Sequence, residues 1–146
     1  MLRDSLSKLF YSVVTEPSFE GSLSIAGNLI EQGIDMPETL ENTLIDFLTN
    51  KDKDSFVDLS REVLARNLLD DYVDNIKLIS FLAKKKWLPL RDVALLLRAI
   101  PYTEREKLIP SYQKLIEVAE LVCEDLSNGF MEVDDDDLLQ KTLNDL

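Results

Sequence analysis

Apolar residues recur at three- and four-residue steps along nearly the whole of this 146-residue chain, and the alternating pattern of half-buried strands is absent. That spacing gives each segment one apolar stripe on a helical surface and leaves nothing from which to build a sheet. Glycine is scarce, four residues in all, and leucine is abundant. The expectation is an all-α fold, a single globular bundle of six to eight amphipathic helices. Residues 1–130 would form the helical domain, and residues 131–146 an acidic C-terminal helix or tail. A chain of this length can bury roughly two thirds of its extended surface, enough for one core.

The punctuation follows from the same physics. Leu2, Leu6, Leu9, Phe10, Val13 and Val14 predict a first helix over 2–15, stopped by Pro17, because the residue before a proline is pushed out of the helical region. A second helix over 19–32 ends at Gly33, suited to a left-handed cap; Gly21 and Gly27 within it weaken it or admit a close helix contact. Asp35 and Glu38 resemble a capping box around Pro37. A fourth helix opens at Asp54 or Ser55, and Asp70-Asp71 marks a break or a solvent face. The segment Pro89–Ile100 is apolar nearly all round, which nominates it as the central core helix. Thr103 with Glu106 suggests another capping box, Pro110 a kink or a fresh start, and Asn128-Gly129 an end. The core should be led by Phe47, Leu48, Ile76, Ile79, Leu90, Val93, Leu96, Leu97, Leu115 and Ile116.

Composition narrows the chemistry. The chain has no histidine and one cysteine, Cys123, so Ser-His and Cys-His nucleophile systems, histidine zinc sites and disulfide frameworks drop out. Cys123 lies on the apolar side of its segment beside Val122 and reads as a small buried hydrophobe. The longest apolar run, Val93–Leu97, is far short of the roughly 20 residues that span a bilayer. The N-terminal stretch lacks a signal-peptide pattern, so a cytoplasmic setting, in a cell or a host cell, is the default, with no membrane partner.

The stretch Asn50–Arg61, NKDKDSFVDLSR, resembles a calcium-binding EF-hand loop, with Asn50, Asp52 and Asp54 at the first ligand positions and Val57 at the apolar one. It departs from that pattern where Ser55 replaces the turn glycine and Arg61 the closing bidentate glutamate. The expectation is therefore a turn between helices, with no metal and no cofactor. Asp134, Asp135, Asp136 and Asp137 could collect a hard cation, but the positive end of a helix and solubility explain the run more cheaply.

The 28 acidic side chains outnumber 16 basic ones, giving a net charge of −12. The imbalance is uneven: −8 over residues 1–83, +5 over 84–114 and −9 over 115–146. Within the basic middle, Lys84, Lys85, Lys86, Trp87, Arg91, Arg98 and Arg105 form the candidate binding patch. The three arginines are spaced by seven, so an unbroken helix would keep them on about one side. Such a patch suits a phosphate backbone or the chain's own tail, of which Asp134 to Asp137 are the candidate contacts, or it simply answers the acidic helices around it. Three functions follow. The first is a non-catalytic interaction module, regulatory in character, whether adaptor, inhibitor or small subunit, with an acidic nucleic-acid mimic as one version. The second is a small subunit of a nucleoprotein complex, and the third a carboxylate-based metal-dependent hydrolase. Another protein is the leading partner, and self-association is compatible with every version.

Overall fold

The computed structural model describes residues 2–15, 18–127 and 133–146, without the side chains of 125–127 and 133–136. The described residues form nine helices and no strand: α1 (Leu2–Thr15), α2 (Glu20–Glu31), α3 (Glu38–Asn50), α4 (Lys53–Ala65), α5 (Tyr72–Lys84), α6 (Leu90–Arg98), α7 (Tyr102–Arg105), α8 (Pro110–Ser127) and α9 (Val133–Asn144). The fold is all-α, and its helix number passes the expected range through the single turn of α7. Pro17 and Asn128-Gly129, read as helix stops, lie outside the described residues. The chain divides into two compact units, Met1–Leu78 and Ile79–Leu146, with the boundary inside α5.

In the first unit, α1 packs on α2, α2 on α3 and α3 on α4. Its centre is aromatic. The Phe56 ring lies 5.6 Å from Phe10, 5.4 Å from Phe19 and 5.8 Å from Phe47, tilted in each case, and Phe47 and Phe56 are fully buried. Tilted and edge-on contacts place ring edges near ring faces, which adds to the stabilisation from burial. The approach of α1 to α2 is close at Gly21, where a Cβ would overlap the Ser12 hydroxyl.

Turns in this unit depart from the expected caps. Asp35 and Glu38 form no capping box; α3 starts after Pro37, whose backbone is extended and whose side chain accepts no N–H. The stretch Asn50–Arg61 is not a loop. Lys51 ends α3 in the left-handed conformation, and Asp52, rather than Asp54 or Ser55, caps α4 by accepting from the Ser55 N–H at 2.9 Å. Two residues therefore join the helices, and the rest of the EF-hand-like pattern is helical, which scatters its carboxylates along α4 instead of round a cation. At the next turn Asn67 is also left-handed. Arg3 donates to the Asn67 and Leu69 carbonyls at 2.7 and 3.0 Å, fastening α1 to that turn. Asp70 and Asp71 fall in the break itself, and Asp71 Oδ1 accepts from the Asp74 N–H at 2.9 Å at the start of α5.

In the second unit α8 packs on both α6 and α9, and α6 also meets α9. The central helix is thus α8, with Leu115, Ile116, Val118, Ala119, Val122 and Cys123 buried. This corrects the assignment of the centre to Pro89–Ile100. Helix α6 is one-sided: Val93, Ala94 and Leu97 are buried, Leu90 and Leu96 only partly, and Leu95 is 53% exposed. Counting apolar residues hid their angular order. Of the remaining expected core, Phe47, Ile76, Ile79, Leu115 and Ile116 are buried and Leu48 is half-buried.

Pro89 and Pro101 start α6 and α7 as extended N-cap residues, and Pro110 is the first residue of α8, a fresh start rather than a kink. Thr103 and Glu106 form no capping box, since α7 already begins at Tyr102 and Glu106 closes it. Ser80 is buried with its hydroxyl unpaired among the described residues. Ser80→Ala is therefore expected to raise stability by about 0.5–1 kcal/mol, through removal of an unpaired polar group and a gain in helix propensity. A shift of the urea midpoint to higher concentration checks it.

Candidate binding surface

The basic run sits where α5 ends. Lys84 is its last residue, and Lys86 takes the left-handed conformation at φ 60°. The Lys86 N–H reaches the Ala83 carbonyl and the Trp87 N–H the Leu82 carbonyl, both at 3.0 Å. This pair of bonds is the Schellman ending, in which the residue after the left-handed one turns back onto the helix. Trp87 accordingly folds over α5, and its ring meets Phe81 edge-on at 5.5 Å. The Lys85 ammonium lies 5.9 Å from the centre of the same Phe81 ring. Lys84, Lys85 and Lys86 are exposed and Trp87 is half-buried.

Beside this turn is a shallow cleft of about 600 Å³ lined by Ala83, Lys86, Trp87, Leu88, Pro89, Leu90 and Gln140. Gln140 comes from α9, held in place by the buried Leu139 and Leu143. The C-terminal stretch therefore includes a docked helix, anchored by apolar side chains. Asp137 is exposed at its start, while the side chains of Asp134, Asp135 and Asp136 lie outside the described residues.

The outer side of α6 extends the basic surface. At about 100° per residue, Arg91, Leu95 and Arg98 fall within an arc of about 60°, and all three are exposed. Arg105 does not join them. The proline at 101 ends the run, and Arg105 sits on α7 with its side chain only 12% exposed. Its Nη1 donates to Glu120 at 2.6 Å, its Nε to the Ile100 carbonyl at 2.8 Å and its Nη2 to the Arg98 carbonyl at 2.7 Å. The guanidinium also lies 4.1 Å from the Tyr102 ring centre. Spacing by seven is thus a property of the sequence and not of the surface. Arg105 ties the α6–α7 connection to α8, and three of its five N–H groups donate inside the unit.

Electrostatics in this region agree with the geometry. The Arg105 donor holds the Glu120 carboxyl below the usual range, against the opposing effect of burial, with Tyr102 also donating at 2.9 Å. Burial pushes the Cys123 thiol up, and Arg98 only partly offsets it. A protonated, buried thiol is a poor nucleophile, as the sequence suggested.

Sequence reasoning missed Leu95 and Gln140. Leu95 was legible from a helical wheel of α6 taken alone. Gln140 had no local signal, because its place depends on how α9 packs. Among the described residues, no group of three or more Cys, Asp or Glu side chains is arranged to hold a metal ion, and no helix is long and apolar enough to cross a membrane. Comparison with protein-family models, with curated proteins and with solved structures gave no match.

Proposed function

We propose that this chain is a non-catalytic interaction module that docks on an acidic segment of another protein through the basic end of its second unit. The observation that supports this reading is the mixed character of the surface. Lys86 lines an apolar cleft at Trp87, the exposed Lys84 and Lys85 precede it at the end of α5, and exposed Leu95 lies between Arg91 and Arg98 along α6. Tryptophan and arginine supply much of the binding energy at protein interfaces, and a cationic rim steers an acidic partner toward them. A polyanionic nucleic acid meets less favourable conditions. The Trp87 ring is already packed edge-on against Phe81 instead of presented for stacking.

The test uses two charge reversals, Lys84→Glu and Arg91→Glu, introduced together. Affinity capture from source lysate, with and without nuclease, should recover a protein partner whose binding the reversals weaken about tenfold or more, the worth of a close charge pair. Capture that depends on nuclease-sensitive material points instead to a nucleoprotein subunit. Trp87 is the sole tryptophan, so its fluorescence reports on the cleft directly when the recovered partner is titrated.

A further inference from the structure

The first unit holds a second, more enclosed cleft with a different chemistry. It has a volume of about 220 Å³. Val14 and Leu78 belong to its apolar wall, the exposed Tyr11 also lines it, and Ser7 with Asp74 forms a polar end. The Ser7 hydroxyl accepts the Asp70 N–H at 2.9 Å, and Ser7 and Asp74 line the cleft together, which puts a carboxylate at the edge of an apolar space. Burial and the neighbouring charges of Asp71 and Asp70 make ionised Asp74 costly, and Lys77 is the cation that eases it. Lys77 is exposed and also lines the cleft. Asp74 and Lys77 are the charged residues in the lining of this apolar hole, and the exposed Asp70 and Asp71 beside it, set against Arg3 on the same turn, leave its surroundings net negative.

From this juxtaposition we infer that the cleft binds a small organic cation, an ammonium head on an aryl or alkyl body. The head pairs with Asp74 and the body fills the space by Val14 and Leu78. Charge and volume both select the class. A neutral apolar molecule leaves the carboxylate excess unrelieved, and an anion is repelled by it. An apolar cavity of about 150 Å³ already takes a benzene ring, so this cleft has room for a ring and a short alkyl arm. The exposed Tyr11 offers a ring face to the ammonium on its way in. This site lies in the first unit and does not depend on the basic surface of the second.

The probe is 4-phenylbutylamine, titrated into the full chain by calorimetry and by NMR, with 4-phenylbutan-1-ol as its neutral counterpart. The amine is expected to bind saturably and the alcohol about tenfold more weakly, the difference made by one charge-assisted hydrogen bond. Asp74→Asn should bring the amine down to the level of the alcohol, and Val14→Phe, which occupies the cleft, should abolish both. Equal binding of amine and alcohol, an unchanged affinity in Asp74→Asn, or no saturable binding would overturn the inference. If Val14→Phe does not fold, the Asp74→Asn comparison decides alone, since it conserves shape at a half-exposed position.

Discussion

Phe56→Ala is expected to destabilise the first unit by about 3–5 kcal/mol, the usual cost of emptying an aromatic site in a core. Phe56 is the ring that Phe10, Phe19 and Phe47 share, so its loss opens one cavity against helices α1 and α3 and the start of α2. Partial collapse is hindered because the neighbours contact one another as well, Phe19 meeting Phe47 edge-on at 5.6 Å. Small domains have total stabilities of about 5–15 kcal/mol. The substitution should therefore leave a substantial unfolded fraction at room temperature. Urea unfolding followed by tyrosine and far-UV signals measures it, and Phe56→Leu, which keeps much of the volume, should recover most of the loss.

Arg105→Met should cost about 2–3 kcal/mol through a different mechanism, the loss of several charge-assisted hydrogen bonds made by one side chain. Methionine keeps the apolar stem but leaves the carbonyls of Arg98 and Ile100 without their donor, and Glu120 with the Tyr102 hydroxyl but no guanidinium. Arg105→Lys should rescue only part of the loss, because an ammonium cannot reproduce the planar fork that reaches three acceptors. The pH dependence separates the ion pair from the rest. Glu120 has its folded-state pKa depressed, chiefly by Arg105. The stability from that pair is therefore fully present above the unfolded-state glutamate value, about 4.3, and is lost as pH falls through the lower folded value. The gap between wild type and Arg105→Met should be constant near neutrality and narrow in acid. A remainder should persist there, contributed by the two carbonyl contacts. A gap that widened as pH fell would contradict the assignment.

The helical character and most of the buried positions were legible because they depend on local periodicity. The first helix, α1, runs over the predicted residues 2–15. Helix starts were less legible. Proline suits both an N-cap and a first turn, since its missing N–H is unneeded in either place. At Pro37, Pro89 and Pro101 the chain uses the N-cap, and the neighbouring Asp35 and Thr103 are left without a capping role. The candidate surface was legible as a count of charges but not as a set of partners. Arg105 belongs with Glu120, fifteen residues away on α8, and no spacing rule links them. The same holds for Gln140, which reaches the Trp87 cleft through the packing of α9.

The tight approach of α1 to α2 carries a consequence for sequence variation. A side chain at position 21 would overlap the Ser12 hydroxyl but meet the Ser12 Cβ at ordinary contact distance, so the two positions are coupled through the rotamer of one hydroxyl. Alanine at 21 is accommodated where that hydroxyl turns away, or where position 12 carries alanine or glycine. A larger residue at 12 has less freedom to yield, and there glycine at 21 keeps α1 and α2 in contact.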